Sequence, residues 1–124
     1  TRALFSEPVL PLQTINSSAS APLTLTAAQV LAGVFRQTSG SANNLTTPTA
    51  AALVAVVPGA AVGTAITFVY SNSTGATQTI TAGSGLTLEG TAAVPTGKVA
   101  TCYFVFTNVS SGTEAVTCFI NLSA

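Results

Sequence analysis

The sequence contains no histidine, aspartate, methionine or tryptophan, and charged residues make up only 5% of its 124 positions. The charged side chains cancel to a net charge of zero, whereas ordinary globular domains carry roughly 25% charged residues. They are Arg2, Arg36, Lys98, Glu7, Glu89 and Glu114. A neutral surface of Thr, Ser, Asn and Gln lacks the charge that normally opposes association. We therefore expect neighbouring copies to cover much of this surface; the alternative is a neutral secreted monomer.

These absences exclude several classes of function. Acid–base catalysis needs positioned ionisable groups, and the three glutamates lie in unrelated parts of the chain. A serine or cysteine nucleophile would have no imidazole base, and a metal ion would have no histidine ligand. We therefore expect a protein that is not an enzyme, with no catalytic residue, no cofactor and no metal site.

Two classes of partner are also disfavoured. Three scattered cations cannot neutralise a run of phosphates, so we expect no nucleic-acid partner. No apolar run approaches the roughly 20 residues of a membrane-spanning helix, so we expect no membrane partner. Because the sequence has no methionine, we expect that an initiator methionine, a signal peptide or a longer pro-segment was removed or is not included.

Residues 1–22 are predicted to form an extended N-terminal arm, followed by a domain over residues 23–124. Prolines 8, 11 and 22 disfavour both helix and interior strand in this segment. The segment is nevertheless too apolar for a free tail, and we expect its apolar residues to mediate assembly. These are Leu4, Phe5, Val9, Leu10 and Leu12. The arm is expected either to pack along its own domain or to lie on a neighbour as an added strand or strap.

Two short helices are predicted near the start of the domain. Thr26 and Gln29 have the spacing of a capping box, and Gly33 is a typical helix end, so a helix is expected over Ala27–Ala32. Thr47 is predicted to cap a second helix with Pro48 in its first turn. Residues 38–46, between the helices, are rich in Ser, Gly and Asn and are expected to form a loop.

The rest of the domain consists of short apolar runs that alternate with a period of two, separated by Gly- and Ser-rich turns. The runs span residues 63–70, 78–82, 86–90, 99–106 and 115–122. This pattern predicts an all-β fold, an antiparallel β-sandwich of jelly-roll type carrying the two short helices.

The last two runs are predicted to form a hairpin at the centre of the core. Folding them symmetrically about Ser110 places Phe104 opposite Val116 and Cys102 opposite Cys118, with the large apolar side chains on one face. In this register the two cysteines are direct cross-strand neighbours. They are expected to be either a disulfide or two small buried thiols.

Three blocks of sequence carry a family resemblance: residues 25–64, 79–88 and 106–117. The first holds both helix caps, the second is Thr-Ile-Thr-Ala-Gly-Ser-Gly-Leu-Thr-Leu, and the third surrounds the hairpin turn Asn-Val-Ser-Ser-Gly-Thr. Their order and spacing resemble the small β-rich virion proteins of tailed phages and large double-stranded DNA viruses, which include capsid decoration proteins and head-fibre components. The resemblance covers residues 23–122 and leaves out the arm.

The resemblance implies a virion structural protein on the capsid surface, acting as a decoration or cement protein or as a head-fibre subunit. It implies a homo-oligomer, most often a trimer, in contact with the major capsid protein or other virion proteins. The alternative is a pilin-like extracellular filament subunit that assembles by donating its N-terminal strand. A third hypothesis, a carbohydrate-binding module, would need an aromatic platform, for which Tyr70 and Tyr103 are the candidates.

Overall fold

The computed structural model describes residues 14–18, 23–38 and 40–123. Within these residues the chain forms ten strands and two short helices. The strands are β1 (Thr14–Ser18), β2 (Leu23–Thr24), β3 (Gly33–Gln37), β4 (Asn43–Thr46), β5 (Ala65–Asn72), β6 (Gln78–Thr81), β7 (Leu86–Gly90), β8 (Ala93–Val94), β9 (Val99–Asn108) and β10 (Ala115–Leu122), and the helices are α1 (Ala27–Ala32) and α2 (Ala50–Val56). The chain is therefore mostly β with two short helices, as predicted.

The strands form two mixed sheets, so the prediction of purely antiparallel sheets is wrong. One sheet has six strands in the order β1-β3-β5-β9-β10-β7, and the other has four in the order β2-β4-β6-β8. In the six-stranded sheet β1, β3 and β5 are parallel, β5, β9 and β10 are antiparallel, and β10 and β7 are parallel. In the four-stranded sheet β2, β4 and β6 are parallel and β8 is antiparallel to β6.

The parallel pairs arise because successive strands alternate between the two sheets from β1 to β9. From β1 to β6, each strand that returns to a sheet runs in the same direction as the preceding strand of that sheet, so the two strands lie parallel. This winding makes β1, β3 and β5 parallel neighbours in one sheet, and β2, β4 and β6 parallel neighbours in the other. A chain of simple hairpins would have given antiparallel neighbours.

Helix α1 begins and ends where the sequence predicts. Gln29 N donates to Thr26 Oγ1 over 3.2 Å and Thr26 N donates to Gln29 Oε1 over 2.8 Å, which is the predicted capping box. Gly33 has a φ of 99°, a left-handed conformation that ends the helix and starts β3. Val30 of this helix is fully buried whereas Leu31 is 46% exposed, so only one face of α1 packs on the core.

Helix α2 begins later than predicted, because Thr49 and not Thr47 is its N-cap. Ala52 N donates to Thr49 Oγ1 over 3.1 Å. The buried Thr47 lies directly after β4, where its hydroxyl accepts a hydrogen bond from Gly83 N (2.8 Å) and donates one to the Pro48 carbonyl (3.1 Å). Thr47 therefore joins the end of β4 to the turn after β6.

One connection differs from the prediction, and one turn does not join paired strands. Residues 38–46, expected to be a loop, contain β4, whose Leu45 side chain is buried. Strand β4 lies between β2 and β6, so backbone partners on both sides override the weak strand propensity of its residues. The turn after β5 does not close a hairpin, because β5 and β6 belong to different sheets.

The C-terminal hairpin has the predicted strands and faces but a different register. Val116 lies opposite Phe106, and Cys118 lies opposite Phe104. The observed register is therefore two residues away from the predicted one, which leaves every side chain on its predicted face. The turn sets this register: Ser110 N donates to Asn108 Oδ1 over 2.8 Å, and the ladder is irregular at Val116.

One hydrophobic core contains side chains of both sheets and both helices. The large apolar side chains that alternate along β5 and β6 are buried; they are Ile66, Phe68, Tyr70 and Ile80. The Phe68 and Phe104 rings pack edge to face with their centroids 6.3 Å apart. Because the two sheets share this core, their opposite faces are turned outward.

Candidate assembly surfaces

The outer face of the six-stranded sheet presents a pair of aromatic side chains. Tyr103 on β9 and Phe119 on β10 lie directly opposite each other, and they are 42% and 46% exposed. Thr67 on β5 lies directly opposite Tyr103 on the other side of β9, so Thr67, Tyr103 and Phe119 form one row across the three strands. Apolar residues of neighbouring rows, Val69 and Val105, are half-buried on the same face. We call this surface the outer sheet face.

Charge on the outer sheet face is confined to its two sides. Arg36 is exposed on β3, and Glu89 is exposed on β7, beside Phe119. The strands between them, β5, β9 and β10, contain no charged residue. This arrangement resembles the core of a protein interface, where charged residues are depleted and aromatic residues enriched.

A second apolar surface lies at one end of the fold and is formed by residues 50–63 together with Leu31. Residues 50–63 comprise only Ala, Leu, Val, Pro and Gly, so α2 and the segment after it carry no polar side chain. Within α2 only Ala50 and Leu53 are buried, and Val62 in the following segment is 68% exposed. Helix α1, which bears the exposed Leu31, contacts α2. We call this surface the apolar end surface.

The apolar end surface lies where the parallel strands of the six-stranded sheet begin. Thr14, the first residue of β1, pairs with Gly33, which directly follows α1, and α1 contacts both β1 and α2. The chain therefore enters the described part of the fold beside this surface. The predicted assembly residues Leu4, Phe5, Val9, Leu10 and Leu12 lie outside the described residues. Residues 14–18 of the predicted arm form β1 and belong to the sheet of their own domain.

The two cysteines are buried free thiols on the core side of the hairpin. They are not the direct cross-strand pair that the predicted register implied, because Cys118 lies opposite Phe104 and Cys102 lies opposite Ile120. They are diagonal neighbours on the same face of the hairpin. The hydrogen bond that the Cys118 thiol donates to Cys102 favours the protonated form and, together with burial, raises the pKa of Cys118 above its usual range.

A buried polar cluster lies at the opposite end of β5 from the apolar end surface. Asn72 Nδ2 donates to the carbonyls of Ala76 and Val94, each over 2.8 Å, and Asn72 Oδ1 accepts from the Thr74 hydroxyl over 2.6 Å. Gln78 Nε2 donates to the Ser41 carbonyl over 2.9 Å. The bond from Asn72 to the Val94 carbonyl joins β5 of one sheet to β8 of the other, so the cluster links the two sheets. Sequence reasoning did not single out these residues.

Tyr70 is not part of an aromatic platform, because its side chain is fully buried. Its hydroxyl donates to Gln37 Oε1 over 2.6 Å, and burial raises the pKa of the phenol. Tyr103 is therefore the one exposed candidate of the two tyrosines considered for carbohydrate binding, and its cross-strand neighbour is Phe119. The row of Tyr103 and Phe119 was not recognised from the sequence, although both residues alternate with buried ones along their strands.

The chemistry available within the described residues is limited. Over residues 14–18, 23–38 and 40–123 no group of three His, Cys, Asp or Glu side chains could hold a metal ion, and no surface pocket is formed. Glu89 lies on the edge strand β7, whereas Glu114 accepts a hydrogen bond from Gly112 N over 3.0 Å in the hairpin turn. None of the helices in this part of the chain has the length and apolarity needed to cross a membrane.

The chain matches no protein-family profile, no curated protein and no solved structure.

Proposed function

We propose that this chain is a non-catalytic structural protein of a virion, located on the capsid surface, where it decorates or cements the capsid or forms a head fibre. The observation that carries the proposal is the combination of two exposed apolar surfaces with a nearly uncharged chain. Contiguous exposed apolar patches are uncommon on soluble monomers and usually mark contacts with other molecules. The sequence resemblance supplies the virion context for these contacts.

The proposal includes a homo-oligomer, with a trimer favoured, that contacts the major capsid protein or other virion proteins. Among the described residues only Arg36, Glu89, Lys98 and Glu114 are charged. Contacts made by such a surface depend on shape and apolar burial rather than on charge pairing, so we expect assembly to persist at high salt.

We also propose that the two mixed sheets pack face to face as a β-sandwich. Its support is the single core to which both sheets contribute buried side chains. In this arrangement the outer sheet face is turned away from the core and is available to a neighbour.

The decisive test is whether purified particles contain this polypeptide, and whether added protein binds particles that lack it. Deleting residues 1–22 would also remove β1, so the arm is better tested in the full chain by Phe5→Glu and Leu10→Glu. We expect both changes to abolish particle binding while the circular dichroism spectrum is retained. Ser6→Glu, which adds the same charge at a polar position of the arm, is the matched control and should bind normally. Absence of the polypeptide from particles would refute the virion role.

The alternative, a pilin-like filament subunit, is favoured by one structural feature. Strand β1 ends the order of the six-stranded sheet and is paired on one side only among the described residues. An exposed strand edge can accept a donated strand from another copy, which gives head-to-tail assembly. Electron microscopy of the purified protein distinguishes the two proposals: fibres formed without capsids support the filament, whereas closed oligomers that bind capsids support the virion protein.

A further inference from the structure

We propose that the apolar end surface is the docking site for residues 1–13 of a neighbouring copy of this chain. This inference rests on the proposed function, in which the N-terminal segment mediates assembly, and it names the surface that receives the segment. The outer sheet face is then left for contacts with other proteins.

The first argument is that the apolar end surface lacks a partner within the described fold. A helix that is apolar all round is normally buried all round, because every side it presents favours removal from water. Helix α2 fully buries only Ala50 and Leu53, while Ala52, Val54 and Val56 are partly buried against the core. Val62 after the helix and Leu31 on α1 are exposed. A further apolar segment would remove these exposed side chains from water.

The second argument is the chemistry of residues 1–13. Their apolar residues Leu4, Phe5, Val9, Leu10 and Leu12 match a surface without polar side chains. Pro8 and Pro11 have no backbone N–H, so this segment is poorly suited to continuous strand pairing. Docking through apolar side chains on a helical surface needs no such pairing. The apolar end surface fits this mode better than a sheet edge does.

The third argument is the position and direction in which the segment leaves the fold. Thr14 pairs with Gly33 beside α1, and β1 runs away from the apolar end surface as it enters the sheet. A segment that continues backwards along the line of β1 leaves its own domain at this end. Thirteen extended residues span about 40 Å at about 3.3 Å per residue, which is enough to reach a neighbouring domain. Docking on the segment's own domain would need a chain reversal directly before Thr14.

Charge argues for a protein partner rather than a lipid surface. Residues 50–63 contain no Lys or Arg, and Leu31 lies in a helix without a basic residue in its last turn. Peripheral membrane helices normally combine an apolar face with a basic one. An apolar segment from a second copy would cover this surface without needing basic side chains beside it.

The first experiment measures the mass of the full-length protein by light scattering after Val62→Glu. We expect the oligomer to be lost and a monomer to remain. Phe119→Glu is the matched control, because it places the same charge at an exposed apolar side chain on the outer sheet face, and it should leave the oligomer intact. The reverse result, in which only Phe119→Glu dissociates the oligomer, would overturn the proposal. An oligomer that persists in both variants would overturn it as well.

The second experiment decides which copy supplies the segment. Leu10→Cys is made in one full-length preparation and Val62→Cys in another of different mass, and the two are mixed under oxidising conditions. Cys102 and Cys118 are buried and should not interfere. A disulfide that joins the two different chains is the expected result. Cross-linking only within a chain that carries both changes would show that the segment folds back on its own domain, which contradicts the proposal.

The outcomes separate this inference from the proposed function. If the cross-link forms in purified protein but no particle contains the chain, the docking stands and the virion role fails. If Val62→Glu abolishes neither the oligomer nor particle binding, the docking fails and the virion role stands.

Discussion

The Tyr70 hydroxyl donates a 2.6 Å hydrogen bond to Gln37 Oε1, and both side chains are fully buried. The bond joins β5 to β3, two parallel neighbours that are brought together by the alternation of the chain between its sheets. We expect Tyr70→Phe to lower the free energy of unfolding by about 1–3 kcal/mol, because it removes a donor from a buried acceptor. Chemical denaturation measures the change. Tyr103→Phe alters a tyrosine that is 42% exposed and should change stability by less than about 0.5 kcal/mol.

The same tyrosine should make stability sensitive to alkaline pH. Burial raises the pKa of Tyr70 in the folded state above the ordinary value of 10.0. Below that value the phenol is protonated in both states, whereas above it the unfolded state loses the proton more readily and is favoured. Stability should therefore fall as pH rises past 10.0, and it should fall less steeply in Tyr70→Phe. Equal slopes in the two proteins would contradict this prediction.

The cysteines should remain two thiols. Diagonal cross-strand neighbours lie about 7–8 Å apart, whereas the Cα atoms of disulfide-bonded cysteines are usually about 4.4–6.8 Å apart. The raised pKa of the buried Cys118 thiol keeps it protonated and therefore unreactive. A thiol reagent at mildly alkaline pH should label neither cysteine in the native protein and both after denaturation. A native mass lower by two hydrogens would show a disulfide and contradict this prediction.

The two threonines near α2 should differ in what they stabilise. Thr49→Ala removes the helix cap and should cost about 1 kcal/mol. Thr47→Val keeps the shape of a buried residue but removes the acceptor for Gly83 N, and it should cost about 1–3 kcal/mol. Hydrogen exchange separates the effects: Thr47→Val should speed exchange of the Gly83 amide, and Thr49→Ala should speed exchange of the Ala52 amide. If Thr47→Val instead speeds hydrogen exchange of the Ala52 amide, Thr47 and not Thr49 is the N-cap of α2, and the prediction is wrong.

Gly90 should tolerate no side chain, because it has a φ of 101° and a Cβ there would overlap the Ile120 carbonyl oxygen on β10. The left-handed backbone alone costs about 1–2 kcal/mol for other residues, and the overlap adds to that cost. We expect Gly90→Ala to lower the thermal midpoint clearly. Gly75→Ala is the matched control, because that position is open and its φ is ordinary, and it should be nearly neutral.

Local features were predictable because nearby residues decide them. The capping box of Thr26 and Gln29 and the helix end at Gly33 depend on residues within one or two turns. Both features are present as predicted. The faces of β9 and β10 follow from alternation along each strand, which does not depend on the partner. The cap of α2 was misplaced because Thr47 and Thr49 are equally good capping residues in sequence. A contact with Gly83, distant along the chain, separates their roles.

The pairing register and sheet assignment were not predictable from the same patterns. A slip of two residues keeps every face of the hairpin, so alternation could not choose between Cys118 and Ile120 as the partner of Cys102. Likewise, the turn after β5 has the composition of a hairpin turn, although it leads from one sheet to the other. The exposure of Val62 and the alignment of Tyr103 with Phe119 became visible only when the strands and helices were placed.

The mostly β fold, the limits of α1, the inward faces of the strands and the scarcity of charge can all be derived from the amino-acid sequence alone. Each of these depends on residue type and short-range periodicity. The mixed sheets, the diagonal thiols and the position of the apolar end surface beside the first residue of β1 emerge only when the chain is folded. These features depend on which distant segments share backbone hydrogen bonds, and many pairings satisfy the same apolar pattern.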